Sequence, residues 1–185
     1  MNSLYKTIFK NGSKTYYYSS FFFPPAVKED VFKLYSFVRT ADDYVDIIPQ
    51  KKQEFYEFRK LFESSLEGEE TGNLVIDGFS EVMRRREFEP GWVEAFLNSM
   101  ESDLYINSYE TIESLMKYLY GSAEVVGLMM EKYWTYQKIP MITPDILVEQ
   151  CSTSTSYGTS MKIYGWVETI FPEKISRIMA LKVSH

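Results

Sequence analysis

Residues 31–46 read VFKLYSFVRTADDYVD, and within them Tyr35, Arg39, Asp42 and Asp46 are spaced four, three and four apart. On an α-helix that spacing puts all four on one stripe, flanked by the apolar Phe32, Leu34, Val38, Ala41 and Val45. Two carboxylates therefore face the same way one turn apart. Like charges so placed destabilise an isolated helix by about 0.2–0.5 kcal/mol and call for counter-charge nearby. Arg39 supplies part of it. A divalent ion would supply the rest, because Mg2+ takes oxygen ligands, keeps several waters, and is held by one or two carboxylates together with substrate phosphates. On pattern alone a solvated acidic helix face is commoner than a metal site, and at this point both readings stand.

The elements that must position this stripe are helical. Apolar residues recur at helical spacing through most of the first 134 residues, and strand-like alternation is scarce. The pattern predicts helices near residues 13–22, 26–47, 50–67, 73–88, 91–106 and 111–134, with breaks at Pro24-Pro25, Pro49, residues 68–72, Pro90-Gly91 and Asn107-Ser108. The expected fold class is all-α, a helical bundle. After Trp134 the periodicity fades, and residues 151–160 (CSTSTSYGTS) form a Ser/Thr-rich stretch with no clear element. The expected division is residues 1–134 as the helical domain and residues 135–185 as a tail of different character. No internal repeat and no strict heptad pattern is visible.

Composition removes several function classes. A net charge of −6 argues against a nucleic-acid partner, since phosphate backbones are bound through an excess of Lys and Arg. Arg84, Arg85 and Arg86 form the only basic cluster, and with Glu81, Glu87 and Glu89 around them they read as a solvated helix surface. The single Cys151 excludes an internal disulfide, which agrees with a reducing, cytoplasmic setting. No apolar run approaches the length of a membrane span, and the first residues lack the apolar core of a signal peptide. The only His is His185, so no His-based triad or His-rich metal site is available, and neither a Walker loop nor a dinucleotide-binding glycine fingerprint occurs. With 15 Tyr, 13 Phe, 3 Trp and 9 Met, the chain has either an aromatic core or an apolar ligand pocket, and the core is the commoner explanation.

Two longer segments carry more information than the acidic pair. GSKTYYYSSFFFPPAVKEDVFKLYSFVRTADDYVD at residues 12–46 and YLYGSAEVVGLMM at residues 118–130 together resemble the N-terminal half of the phytoene/squalene synthase family, over about residues 11–133. The resemblance implies an isoprenoid-synthase helical bundle, incomplete at its C-terminus, and a Mg2+-dependent enzyme that joins two prenyl diphosphates head to head through a cyclopropyl intermediate. Two geranylgeranyl diphosphates giving phytoene is the implied reaction, because FVRTADDYVD and YGSAEVVGLMM look most like that branch. A squalene-type C30 synthase is the alternative. It further implies Asp42 and Asp46 as metal ligands, with Asp43 adjacent, and Arg39 on diphosphate oxygens. Ser13, Lys14 and Thr15 would lie near a diphosphate and Tyr16 in the pocket wall, while Tyr35 and Tyr118 would stand near the reacting carbons. Val125, Val126 and Gly127 match a stretch where a helix bends and small residues admit the isoprenoid chain. Glu124 stands where many members carry a small residue, so it either points away or narrows a channel.

The implied chemistry is physically coherent. Diphosphate leaves poorly until its charge is neutralised, and a carbocation left behind needs a dry pocket with electron-rich ring faces. Gly121 and Gly127 each cost a helix about 1 kcal/mol against Ala, and close approach of a ligand or of another helix would explain them equally well. A long-chain prenyl substrate partitions into lipid, which is compatible with peripheral membrane association.

One departure from the family pattern is large. A second aspartate-rich helix should complete the metal cage, yet Asp145 is the only Asp after Asp103. Reading from about residue 134 in the frame two bases on can give QYINFIRDIDED, the missing motif, in its expected place; the last two bases of each such codon are well fixed by the printed residues, and the leading base is free. The expectation is a shifted frame, in which Cys151, Trp166 and His185 carry no function. The competing reading is a non-catalytic helical fragment or lipid-binding remnant of the same family.

Overall fold

A computed structural model describes residues 2–137 apart from Asn107 and Glu110, so the expected tail falls almost wholly outside the described residues. Two compact units divide the chain, residues 1–89 with 97–107, and residues 90–96 with those from 108 onward.

The first unit is organised around one long helix. α1 spans Ser3–Gly12 and α2 spans Lys14–Ser19, followed by a 3-10 turn at Ser20–Phe22; α3 runs Pro25–Asp46, α4 Lys52–Leu66, α5 Leu74–Arg86 and α6 Pro90–Ser102. α3 opens with Pro25 in its first turn, where the missing N–H costs nothing. Its buried positions Val27, Val31, Leu34, Val38, Ala41 and Val45 alternate by four and three, and α1, α4 and α5 pack around them. Phe37 of α3 stacks on Phe79 of α5 with centroids 4.0 Å apart and meets Phe58 and Phe62 of α4 at 5.1 Å. Much of the aromatic excess is thus core packing, as the commoner explanation of composition had it. Asn73 starts α5 by accepting the N–H groups of Val75 and Ile76 at 3.0 and 3.4 Å.

In the second unit the single helix expected over residues 111–134 is three pieces. α7, Ile112–Leu119, begins at a capping box in which Thr111 Oγ1 accepts the Ser114 N–H at 3.2 Å. A π turn occupies Tyr120–Glu124, and α8 continues as Val125–Gln137. No strand occurs among the described residues, and the chain is all-α. No helix among them is long and apolar enough to cross a membrane.

The arginine cluster corrects an expectation. Arg84 and Arg85 are exposed, but Arg86 is buried, and both Arg85 and Arg86 reach across to the buried Asp30 of α3. Asp30 lies on the apolar face of α3, three residues past Val27, so a burial penalty forced a counter-charge that simple charge clustering does not reveal. Glu81 completes the network, bound by Arg85 at 2.7 Å and by Lys33 at 2.9 Å. Arg85's hydrogen bond, aided by Lys33 and opposed by partial burial, holds the Glu81 carboxyl down to about 2. A carboxylate depressed in the folded state contributes stability above its ordinary pKa near 4.5, and this is lost as pH falls toward 2. Urea midpoints should therefore fall less steeply over that acid window in Glu81→Gln than in the parent; equal slopes would contradict the pairing.

Candidate functional site

The C-terminal half of α3 gathers the acidic stripe around one guanidinium. Arg39 donates to Asp42 Oδ2 at 3.3 Å and lies 2.8 Å from Asp43 Oδ1. Asp42 is only 1% exposed, whereas Arg39 and Asp43 keep 28% and 39% of their side-chain surface. Burial works against the Arg39 charge, but the carboxylates of Asp43, Asp42 and Asp46 and the Tyr35 hydroxyl outweigh it and hold its pKa up. Asp43 is also pushed up, first by burial and further by the Asp42 charge, against the pull of Arg39. The two partners shift in the same direction because burial, the largest influence on Asp43, favours its neutral acid, while at Arg39 the summed carboxylates outweigh burial. Asp46, half-buried, closes the stripe as the last residue of α3.

Tyr35 is buried one turn before Arg39, its ring tilted against Phe9 of α1 at 4.1 Å. Gly12, the last residue of α1, approaches so closely that a Cβ there would collide with the Tyr35 hydroxyl. Gly12→Ala should cost about 1–3 kcal/mol in denaturant unfolding, as expected for overpacking against a ring that Phe9 prevents from retreating. Unchanged stability would mean that Tyr35 is not pinned. Ser13 follows as the residue closing α1, its N–H bonded to Phe9 O at 2.9 Å. Lys14 is exposed at the start of α2. Thr15 and Tyr16 lie within α2, and their side chains are outside the described residues.

The remaining sequence-predicted residues belong to the second unit. Tyr118 is buried on α7 with its ring 5.0 Å from that of Tyr109. Val125 and Val126, both buried, and the half-buried Gly127 form the first turn of α8, directly after the π turn that contains the half-buried Glu124. Such π turns are frequent at functional sites, and this one, at Tyr120–Glu124, ends directly before Val125. Two groups therefore emerge. Tyr35, Arg39, Asp42, Asp43 and Asp46 share one helix with the Gly12-Ser13 corner against it; Tyr118, Val125, Val126 and Gly127 share the α7 to α8 segment.

Hard carboxylate oxygens from Asp42 and Asp46 suit one side of a Mg2+ site, with Asp43 beside them. Among the described residues no group of three or more His, Cys, Asp or Glu side chains is arranged to hold a metal. Asp43, expected only as a neighbour of the two ligands, makes the shorter of the two ion pairs with Arg39, and sequence reasoning missed Gly12 and Phe9. A Gly immediately before the Ser-Lys segment was the available signal for close backbone approach.

A family model described as squalene/phytoene synthase matches residues 9–154. The phytoene synthase of Pseudescherichia vulneris is 29% identical over 133 residues, which cover 66% of this chain and 43% of that protein. The 15-cis-phytoene synthase of a Paracoccus strain is 22% identical over 140 residues, 71% of this chain and 46% of its own length. That of a Synechocystis strain is 31% identical over 120 residues, 63% and 35% of the two chains. This chain thus spans less than half the length of the curated relatives it matches. No solved structure matches.

Proposed function

Because the chain belongs to the squalene/phytoene synthase family, we propose that α3 carries the metal-binding and diphosphate-binding half of a head-to-head prenyltransferase, acting on two geranylgeranyl diphosphates. The observation that carries this reading is the Arg39 guanidinium held between Asp42 and Asp43, on the helix that also bears Tyr35 and Asp46. Asp42 and Asp46 hold Mg2+, and the chemistry a bound Mg2+ supplies is neutralisation of the leaving diphosphate. Arg39 already sits beside carboxylates and exchanges part of that pairing for diphosphate oxygens as the substrate arrives. Ser13, Lys14 and Thr15 bind near the same diphosphate, and Tyr16 lines the pocket. By the family resemblance, Tyr35 and Tyr118 would each stand near reacting carbons, where an electron-rich ring stabilises positive charge without attacking it. Val125, Val126 and Gly127 leave room for the isoprenoid chain. The names of the relatives favour the C20 substrate over the C15 one.

A second reading is a non-catalytic, prenyl-binding fragment, favoured by the span of less than half the relatives' length. Pyrophosphate release separates the two. The catalytic reading expects Mg2+-dependent release from geranylgeranyl diphosphate, faster than from farnesyl diphosphate; none from this 185-residue chain, with tight binding retained, leaves the fragment. The shifted frame after about residue 134 is proposed as the reason for the missing second aspartate-rich motif. Sequencing the coding DNA between the codons for Met130 and Gln150 tests it, and an uninterrupted, verified frame refutes it.

A further inference from the structure

α1 carries Tyr5, Phe9 and Gly12 at steps of four and three, which places them on one stripe of the helix. At its start the buried Tyr5 donates its hydroxyl to Leu74 O of α5 at 2.5 Å and lies over Gly78, where a Cβ would collide with that hydroxyl. Midway, the buried Phe9 ring is wedged between two side chains of α3, edge-on to Phe32 at 4.5 Å and tilted against Tyr35 at 4.1 Å. At its end Gly12 faces the Tyr35 hydroxyl, again with no room for a Cβ. A Cβ at Gly68, Gly72 or Gly91 would meet nothing within 4 Å, so a tyrosine hydroxyl against bare backbone is particular to Gly12 and Gly78 among these five.

A Gly inside a helix weakens it relative to Ala, and Gly78 stands inside α5. The Tyr5 hydrogen bond supplies the reason: the hydroxyl reaches Leu74 O only where position 78, one turn further along α5, projects no side chain. Gly12 does the same for Tyr35 at the last residue of α1. With Phe9 against its ring and backbone against its hydroxyl, Tyr35 cannot shift without displacing α1, and α1 cannot shift without breaking the Tyr5 bond. We propose that α1 is a strap that positions Tyr35: Tyr5 hooks the helix to α5 over Gly78, and Phe9 with Gly12 passes that position to the ring. Tyr5, Gly12 and Gly78 are then positioning residues, none of which has to touch a substrate. Arg39 follows one turn along α3, so the ring owes its seat to the N-terminal helix, whereas the guanidinium is held by carboxylates of α3 itself. That a ring so placed serves a reaction rests on the function proposed above; the positioning does not.

The test uses the full chain labelled with fluorotyrosine, without Mg2+ or prenyl diphosphate, and follows the Tyr35 line by fluorine NMR, assigned as the line lost in Tyr35→Phe. Tyr5→Phe removes one hydroxyl and keeps the buried ring. It is expected to shift or broaden the Tyr35 line, although the bond it deletes runs to α5 and not to Tyr35. Gly78→Ala displaces the same hook while keeping every tyrosine, and should move the Tyr35 line as well. Far-UV circular dichroism at the parent value establishes that each variant read is folded. Urea unfolding then closes two double-mutant cycles. Gly12→Ala should lower the folding equilibrium constant about tenfold to hundredfold in the parent, and less than about fivefold in Tyr35→Phe, where the colliding oxygen is gone. Gly78→Ala should depend on the Tyr5 hydroxyl in the same way. A Tyr35 line that stays in place in either folded variant, or additive losses in either cycle, overturns the proposal. Failure here leaves the catalytic reading standing, because Tyr35 would then take its seat from α3 alone, and absence of pyrophosphate release leaves the strap standing.

Discussion

On the proposed function, changing both Asp42 and Asp46 to Ala in a full-length version that carries a second aspartate-rich motif should lower Mg2+-dependent pyrophosphate release by at least about 10³-fold, in line with the loss of a preorganised charge from a leaving-group site. The expectation rests on geometry. Asp42 is buried with one oxygen on Arg39, and Asp46 stands one turn further along the same stripe. Removing both leaves Arg39, which can still bind diphosphate, and the partly exposed Asp43, a single carboxylate already ion-paired with Arg39 and a poor substitute for the pair as a metal ligand. The variant should therefore lose turnover while keeping part of its substrate affinity, a separation of rate from binding that general unfolding would not produce.

A buried aspartate is also a structural group, so the double Ala variant needs a companion. Asp42→Asn keeps the volume and a hydrogen-bond acceptor for Arg39 while removing the charge. It should melt close to the parent and still lose most of the activity. Asp46→Ala, at a half-buried helix end, should do the same with little effect on stability. Full turnover in the double variant would show that these carboxylates do not hold a catalytic metal.

Helix positions were legible in the sequence to the extent that each helix buries an apolar stripe. α3 was expected at residues 26–47 and runs Pro25–Asp46; α4 and α5 were expected at 50–67 and 73–88 and run Lys52–Leu66 and Leu74–Arg86. α1 was not anticipated. It buries only Tyr5 and Phe9, and Tyr5 is fixed by a 2.5 Å hydrogen bond to Leu74 O that no local pattern announces. The π turn at Tyr120–Glu124 was equally hidden, because inserting one residue into a helix changes the register without changing the composition. The site was readable where it is local: Tyr35, Arg39, Asp42 and Asp46 lie on one helix, and their spacing fixed their common face. Contacts made across the fold, Gly12 on Tyr35 and Arg86 on Asp30, depend on which helices meet, and a single sequence does not carry that.

The buried pair gives the largest expected effect on stability. Asp30 is 2% exposed and accepts both NH1 and NH2 of Arg85, at 3.0 and 2.6 Å, and both Nε and NH2 of Arg86, at 2.9 and 2.5 Å. Arg86 keeps only 4% of its side-chain surface, so Asp30→Ala strands a guanidinium in the core. Stranding one member of such a pair costs about 3–5 kcal/mol. For a domain of this size that lowers the melting temperature by roughly 10–20 °C. Arg85, 44% exposed, can turn to water, and Arg85→Ala should cost no more than about 1 kcal/mol despite its two hydrogen bonds. The decisive variant removes both buried charges. Asp30→Leu with Arg86→Met replaces the pair by apolar groups of comparable volume, a change that is often neutral or stabilising, and should recover most of what Asp30→Ala loses. If the double variant melted no higher than the single one, the loss would belong to packing and not to the stranded charge. Recovery would mean that the cost lies in the stranded charge and that apolar packing can seat α3 on α5 as the ion pair does, about 14 Å along the helix from Arg39.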